Sequence, residues 1–577
     1  MPINKAEVSF DLTDSVMLND SDSSMQLHEI EDEQIEEPKE SSKFGFWSAF
    51  GLNTMMMFGT GPFISIPYTI ASVDPSGSHA LVGYSIAVLA CICDSFICSE
   101  IGSMFPSSGG PVIYLQTLYG EKTLGQLAAF IYLFQFTVAG PAEVASGFIA
   151  LSDYFIYFNT DKFGYGIRVG ISLGTLAFSS FLLFASKKSI TVMTALLTVI
   201  TLSAVGLTVM LGLGNLDSNL IKPPNDAFDG NVGSLLWRVG AATRFGVYDM
   251  TGYYHVCYLG DEIQNPRKNI PYVCVGTAIF IGFIDLLIYI AVLGVIDWRV
   301  IAPIYSDNSD GEQIGIMSLF YEKLVGEDFA KFFTVMTVIT IFGSTYSMMA
   351  GFQHLLHSGA RDGFLFDFLK KRHHKTGVPY MALSILALIS SIWCFFDVDV
   401  VIDAATTLLI LVQNIGQAVG LLYYRWRTPK QDQVQGWRMP LYPLPVIIQL
   451  ILFSYIFVTS PAAIHNDQPI LDICLLFIFI GVCLFFIRAK IRGLWPFQKD
   501  EKNDIEDQIS ANAHNDVNGN DTFEDHNKFD HVSDSDQISA DAHNNADDDE
   551  IFEDNNKFDH ISDFNHNQSK CQNETKS

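Results

Sequence analysis

The sequence predicts an all-α integral membrane protein in which twelve transmembrane helices lie between two disordered acidic tails. The chain has 577 residues, of which 49% are hydrophobic and only 17% are charged, and its mean hydropathy is +0.25. Stretches of about 20 apolar residues, long enough to cross ~30 Å of hydrocarbon as a helix, recur along its middle. This composition excludes an ordinary soluble globular chain.

Twelve such stretches lie between the tails, and we number them as spans in chain order. They cover approximately residues 46–71, 81–105, 125–155, 166–184, 192–213, 237–259, 270–295, 329–359, 379–396, 401–425, 442–459 and 470–492. Loops that follow even-numbered spans hold 14 Lys and Arg, and loops that follow odd-numbered spans hold seven. Because Lys and Arg in short loops are retained in the cytoplasm, both termini are predicted to be cytoplasmic. The pattern does not distinguish the plasma membrane from an endolysosomal or vacuolar membrane.

The charge lies in the tails, which divide the chain into an N-terminal tail (1–43), a transporter domain (44–498) and a C-terminal tail (499–577). Of the net charge of −29, −9 belongs to the first tail and −16 to the second, which leaves −4 for the domain. Both tails are too polar to bury a core and are predicted to be disordered. The second contains a 29-residue duplication, in which Asp507-Gln508-Ile509-Ser510 returns at residues 536–539. Acidic tails argue against a nucleic-acid partner.

Two spans are interrupted at the depth of the membrane. The first contains Gly59-Thr60-Gly61-Pro62, and the sixth loses its apolar pattern between Tyr248 and Tyr254. Glycine and proline free backbone N–H and C=O groups from the helix, and such groups must face protein or a water-filled cavity.

The resulting helix ends suit a small zwitterion, since N–H groups bind a carboxylate and C=O groups bind an ammonium group. The alternative is that the glycines only permit close helix packing. Two breaks five spans apart are typical of inverted repeats that share a binding site at the midplane, which favours a substrate site.

Four segments in this order resemble the amino acid/polyamine/organocation (APC) permease superfamily. They are Gly59-Thr60-Gly61, the segment from Ser99 to Pro111, the segment from Gly260 to Pro271, and the segment from Gly359 to Leu365. The resemblance spans residues of roughly 46 to 492. It implies two inverted five-helix repeats, spans 1–5 and 6–10, with two peripheral helices.

The resemblance also implies a substrate site. Backbone N–H groups at Gly59, Thr60 and Gly61 would bind the substrate carboxylate, and carbonyl groups around Tyr248, Thr251 and Gly252 would bind its amino group. Tyr254 stands eleven residues before Asn265, where many cationic and polyamine permeases have an acidic residue. This departure favours a neutral substrate.

Charged residues within the spans are candidates for coupling or gating. Glu143 and Arg244 are placed at similar depth, where an isolated charge costs about 2.5 to 3.5 kcal/mol, so they are predicted to pair or to border the cavity. The alternative is that both reach into water independently. Asp249 is a third candidate, and three other intramembrane acids, Asp94, Asp285 and Asp403, are weaker ones.

The sequence is compatible with coupling to protons and with coupling to sodium. Family relatives are often proton-linked, and a titrating Glu143 would fit that pattern. Ser344 and Thr345 are weak sodium candidates, because hydroxyl groups in membrane helices mostly bond to their own helix. No other metal and no cofactor are predicted.

The favoured function is therefore a proton-coupled, secondary-active transporter that carries neutral or small amino acids by alternating access. The alternatives are a polyamine or cationic amino acid permease that uses Glu143 or Asp249, and an amino acid sensor that signals through its tails. An enzyme is not predicted, since no nucleotide-binding loop and no nucleophile with a base is found. The partners are substrate, coupling ion and lipid. Residues 157–165 contain no Cys, so the disulfide-linked heavy chain of some family members is not expected.

Overall fold

The computed structural model describes residues 43–58, 61–158, 164–185, 187–223, 231–305, 315–374, 376–459 and 470–491. Both predicted tails lie outside this range, apart from Lys43. The described part is helical, and its only extended pairing is an isolated bridge between Phe44 and Ile263. In chain order the α-helices are α1 (Phe46–Met57), α2 (Gly61–Ser72), α3 (Ala80–Met104), α4 (Pro111–Tyr119), α5 (Leu124–Ile156), α6 (Tyr165–Ala185), α7 (Lys187–Gly214), α8 (Ser218–Ile221), α9 (Val232–Met250), α10 (Pro266–Val295), α11 (Trp298–Ile304), α12 (Ile316–Val325), α13 (Glu327–Arg361), α14 (Tyr380–Trp393), α15 (Val398–Leu409), α16 (Gly416–Arg427), α17 (Leu444–Thr459) and α18 (Ile470–Ile491).

Eight of the described helices are long and apolar enough to cross a membrane. They cover Gly77–Met104, Leu124–Ile156, Tyr165–Phe184, Leu196–Gly214, Pro266–Val295, Glu327–Arg361, Val398–Arg427 and Leu471–Ile491. Two shorter apolar helices, α14 and α17, correspond to the predicted ninth and eleventh spans. Of the twelve predicted spans, only the first and the sixth are not among these ten helices, and each of the two is divided.

The first span is divided between α1 and α2, which contain 12 residues each. Phe58 at the end of α1 has an extended backbone (φ −93°, ψ 127°), and Gly61 begins α2. Pro62 fits the first turn of α2 because the amide groups there have no partner within the helix. Gly59 and Thr60 lie outside the described residues.

The sixth span begins as α9, ends at Met250 and continues as a 3-10 helix over His255–Glu262. Gly252 lies between the two helices at φ +120°, a conformation that is strained for any residue with a Cβ atom. The predicted interruption between residues 248 and 254 therefore coincides with the end of a helix.

The tenth span is also irregular, which was not predicted. A π-helical turn over Ile410–Ile415 separates α15 from α16. Such turns widen the backbone and are frequent at functional sites. Here the turn includes Asn414, which joins a buried polar network described below.

Two of the four sequence motifs contact each other at one end of the bundle. The amide of Ser108 donates to Oδ2 of Asp261 (3.0 Å), and the amide of Asp261 donates to Oγ of Ser108 (3.2 Å). A Cβ atom on Gly260 would lie 2.9 Å from the backbone of Ser107. The glycine thus permits the segments after the second and sixth spans to close against each other.

Candidate functional site

The interrupted first and sixth spans pack directly against each other. A Cβ atom on Gly61 would lie 2.9 Å from Cα and 3.0 Å from the carbonyl oxygen of Asp249. Only glycine allows this approach, because a Cβ atom at position 61 would meet the backbone of Asp249. Backbone cannot move aside as a flexible side chain can. The beginning of α2 is thereby held at the end of α9.

Asn53 of α1 satisfies backbone groups that the break in the sixth span exposes. Its Nδ2 donates to the carbonyl oxygen of Tyr253 (3.0 Å) and to Oγ1 of Thr277 (2.8 Å), and its Oδ1 accepts from the amide of Val256 (2.8 Å). Buried backbone groups without a partner are costly in a membrane, so this amide stabilises the irregular segment.

A second polar anchor holds the same segment through Tyr253. The Tyr253 hydroxyl donates to Asp94 of α3 (2.7 Å), which also accepts from Asn414 (3.2 Å) and from Gln449 of α17 (3.0 Å). The carboxyl group of Asp94 thus connects the second, sixth, tenth and eleventh spans. Its surroundings are those of a structural anchor rather than of a substrate-binding group.

A small cavity of about 10 Å³ lies between α5, the end of the sixth span's first helix, and α15. Four of its lining residues were predicted for the site, namely Glu143, Tyr248, Thr251 and Tyr254, and the others are Phe136, Ala139, Gly140, Tyr258, Ala405, Thr406 and Leu409. Aromatic walls with a few polar groups are typical of small-molecule sites.

Two polar groups at this cavity are buried and have no hydrogen-bonding partner among the described residues, namely the hydroxyl of Tyr254 and Oγ1 of Thr406, whose residues are 2% and 3% exposed. The carboxyl group of Glu143, a residue that is 8% exposed, also borders the cavity. In contrast, the Tyr248 hydroxyl bonds to Oγ of Ser146 (2.6 Å), and the Tyr258 hydroxyl bonds to that of Tyr132 (3.0 Å). Unpartnered buried polar groups are expected where a ligand supplies the missing partner.

The backbone at the end of α9 is partly occupied. The amide of Thr251 donates to the Tyr248 carbonyl (3.1 Å), and the Thr251 hydroxyl donates to the carbonyl of Val247 (3.0 Å). A carbonyl oxygen has two lone pairs, so the Tyr248 carbonyl retains one for a ligand. The Thr251 hydroxyl, however, already uses its proton within the helix.

Glu143 and Arg244 were predicted to pair with each other or to border the cavity; the pairing is not found, and Glu143 borders the cavity. Arg244 pairs with Asp403 of α15, with Nη2 and Oδ1 2.7 Å apart, and both side chains are almost fully buried. Asp403 was considered only a weak candidate, because sequence alone does not reveal that α15 faces α9. Glu143 borders the cavity without a cationic partner among the described residues.

Asp249 lies on a different face of α9 from Tyr248 and does not line this cavity. Its Oδ2 accepts hydrogen bonds from Oγ of Ser65 in α2 and from the hydroxyl of Tyr289 in α10, the latter at 3.0 Å. Adjacent residues on a helix point about 100° apart, so Tyr248 and Asp249 face different neighbours.

The sodium candidates have ordinary surroundings. Oγ1 of Thr345 donates to the carbonyl of Ile341 within α13 (2.9 Å), and Oγ of Ser344 has no hydrogen-bonding partner in the described part of the chain. Over the same residues, no cluster of three or more His, Cys, Asp or Glu side chains is arranged to hold a metal ion.

Several cavity residues were missed by sequence reasoning. Phe136, Thr406 and Leu409 belong to spans that were predicted to be uninterrupted, so nothing marked their orientation. Ser146 was missed as well. It follows Glu143 by three residues and therefore shares its helix face, which is the one feature of the sequence that could have indicated it.

Several long apolar helices and two divided spans beside a small cavity are typical of a multi-pass membrane transporter. Residues 44–488 match the sequence model of the amino acid permease family. The chain belongs to this family and thus to the APC superfamily.

Three relatives illustrate the similarity, each 23% identical to this chain. They are the human cystine/glutamate transporter (75% of this chain, 82% of the relative), the serine/threonine exchanger SteT of Bacillus subtilis (71% and 88%), and the mouse Asc-type amino acid transporter 1 (77% and 81%). The protein is therefore an amino acid transporter by family.

Proposed function

We propose that this protein transports neutral or small amino acids by alternating access, with the substrate bound in the cavity beside Tyr248. The observation that carries this proposal is that the unpartnered hydroxyl groups of Tyr254 and Thr406 and the carboxyl group of Glu143 border one cavity.

The helix ends are suited to the two charges of an amino acid. The first amide groups of α2 have no partners within the helix and carry partial positive charge, which favours the substrate carboxylate. The last carbonyl groups of α9 carry partial negative charge, which favours its ammonium group. The close contact of Gly61 with Asp249 holds these opposite ends together.

The relatives support an amino acid as the cargo, since their names include cystine, glutamate, serine and threonine. The side chain of the substrate would face Tyr254, Thr406 and Glu143. An aromatic residue at position 254, where polyamine permeases resembling this chain have an acid, favours a substrate without a second positive charge.

Transport is further proposed to be driven by protons. The two carboxyl groups singled out in the sequence, Glu143 and Asp249, are the candidates for the coupling group, since each is buried without a cationic partner among the described residues. Sodium is a weaker alternative, because the Thr345 hydroxyl already donates within its own helix.

The proposed architecture has twelve spans, with α1 and α2 forming the first and α9 with the 3-10 segment forming the sixth. Spans 1–5 and 6–10 would be inverted repeats, and both termini would lie in the cytoplasm. Since residues 157–165 contain no Cys, we expect the transporter to act without a disulfide-linked subunit.

One observation favours a second candidate function. A carboxylate that faces a substrate cavity without a counter-ion would bind a cationic group on the substrate. Glu143 is such a group, and transport of cationic amino acids or polyamines is therefore the alternative.

The test is uptake by the purified full-length protein in proteoliposomes. Labelled neutral, basic and acidic amino acids and polyamines are supplied with and without an inward proton or sodium gradient. The proposal predicts saturable accumulation of neutral amino acids that a protonophore abolishes. Accumulation of basic amino acids or polyamines alone would establish the second candidate, and the absence of any flux would contradict both.

A further inference from the structure

Behind the cavity, two buried acids and two tyrosines form a compact group together with Ser65, which we call the acid–tyrosine cluster. Its members are Ser65 of α2, Tyr84 of α3, Asp249 of α9, and Asp285 and Tyr289 of α10. Tyr289 donates to Asp249 (3.0 Å) and Tyr84 donates to Asp285 (2.9 Å). The rings of Tyr84 and Tyr289 are stacked, with their centroids 4.1 Å apart. The stacking places the Tyr84–Asp285 pair next to the Tyr289–Asp249 pair.

Each acid has one oxygen atom that lacks a donor. Oδ1 of Asp249 and Oδ1 of Asp285 have no hydrogen-bonding partner among the described residues, and the two residues are 1% and 0% exposed. Neither forms an ion pair with a described residue. The hydroxyl groups of the cluster therefore satisfy only one oxygen of each carboxyl group, and the other is left for a proton.

No positive charge faces the cluster from the helices packed around it. The titratable groups near the two acids are Tyr84 and Cys91 of α3, Tyr248 of α9 and Tyr289 of α10, while α2 supplies the hydroxyls of Ser65 and Thr69. Helix α1 and residues 193–214 of α7 contain no titratable side chain. The cations nearest along these helices are engaged elsewhere: Arg244 pairs with Asp403, and Lys323 of α12 donates to the Val295 carbonyl.

The cluster also lies at the junction that alternating access must move. Asp249 contacts Gly61 through its backbone and Ser65 through its carboxyl group, so it connects the end of α9 to the first turns of α2. The preceding residue, Tyr248, lines the cavity. A change in the packing of Asp249 is therefore transmitted directly to the substrate site.

We propose that the acid–tyrosine cluster binds the coupling proton of this transporter, an inference that rests on the proposed function. An ionised carboxylate here has no cation to offset it, and burial of an unpaired charge is costly in a membrane. Asp249 gives up its proton only when α2 and α9 separate from α10 and admit water. The proton enters from the water on one side and leaves to the water on the other, so its movement accompanies that of the substrate.

The test compares two activities of the same proteoliposomes. Exchange of labelled for unlabelled substrate without gradients requires no net proton movement, whereas accumulation against a gradient does. Proton entry is followed with a pH-sensitive dye inside the liposomes. The variants are Asp249→Asn and Asp285→Asn, and the matched control is Asp472→Asn, which changes an exposed acid of α18.

The proposal predicts that Asp249→Asn keeps exchange within about threefold of the wild type while proton-driven accumulation falls at least about tenfold and substrate-dependent proton entry is lost. The control Asp472→Asn is expected to retain exchange, proton-driven accumulation and substrate-dependent proton entry. Full accumulation and proton entry in both Asp249→Asn and Asp285→Asn would overturn the proposal, as would a wild-type protein that exchanges amino acids without moving protons. If the wild type neither exchanges nor accumulates any amino acid, the proposed function itself fails.

A second variant covers the case in which Asp249→Asn does not fold. Tyr289→Phe retains the stacked ring but removes the donor to Asp249, so it is expected to fold and to shift the pH dependence of accumulation while leaving that of exchange unchanged. An unchanged pH profile in this variant would contradict the proposal.

Discussion

The two faces of the broken sixth span are built on opposite principles. Toward α5 and α15, Tyr248 and its neighbours border a cavity in which the hydroxyl groups of Tyr254 and Thr406 have no partner among the described residues. Toward α2 and α10, Asp249 is enclosed by hydroxyl groups from Ser65 and Tyr289. The first face is the one proposed to receive the substrate, and the second is the one proposed to hold the coupling proton. Under these proposals, residues that are adjacent in sequence serve substrate binding and ion coupling separately.

Gly61→Ala is expected to have the largest effect, because it pushes apart the two half-helices on which both faces depend. The added Cβ atom would meet the backbone of Asp249 at 2.9 Å, and forced overpacking of this kind costs about 1 to 3 kcal/mol. Uptake should fall at least about tenfold, whereas Gly51→Ala, with nothing within 4 Å of its Cβ, should retain uptake. Equal activity of both variants would show that the contact is dispensable.

Tyr248→Phe should have the next largest effect, since it keeps the ring on the cavity face and removes the 2.6 Å hydrogen bond to Ser146. The loss of one buried hydrogen bond, about 1 kcal/mol, is expected to weaken the apparent substrate affinity about fivefold. Ser146→Ala should have the same effect, and the double variant should be no worse than either. Additive losses would mean that the two hydroxyl groups act independently.

Glu143→Gln separates the two candidate functions. If the substrate is neutral, the amide replaces a carboxyl group of similar shape, and uptake should stay within about threefold of the wild type. If the substrate is cationic, the loss of its counter-ion should lower uptake at least about thirtyfold. Uptake measured over a range of substrate concentrations distinguishes these two outcomes. The control is Glu121→Gln, which changes an exposed acid before α5.

Thr406→Val is expected to have a small effect, because it changes only one hydroxyl on the cavity wall. Substrate affinity should fall about twofold to fivefold if this hydroxyl bonds to the ligand. The control is Thr340→Val, which removes a buried and equally unpartnered hydroxyl of α13 that does not line the cavity. Similar affinities for the two variants would exclude Thr406 from the site.

The helix positions and both divided spans could be predicted from the sequence, because long apolar runs indicate membrane crossing and because the apolar pattern is interrupted at Gly59-Thr60-Gly61-Pro62 and between Tyr248 and Tyr254. The third span, for example, was predicted over residues 125–155 and is found as α5, Leu124–Ile156. The partner of Arg244 could not be predicted in the same way, since it depends on which helices are neighbours. The contribution of α15 to the cavity and the π-helical turn at Asn414 were missed for the same reason.

The measurement that tests the central claim most directly is a structure of the full-length protein in lipid nanodiscs with a neutral amino acid at saturating concentration. The account predicts density for the amino acid between Tyr248, Tyr254 and Thr406, with its carboxylate at the beginning of α2. The carboxyl group of Asp249 should remain enclosed by Ser65 and Tyr289. Substrate density that displaces Ser65 or Tyr289 from this carboxyl group, or that lies outside the cavity altogether, would contradict the division of roles between the two faces.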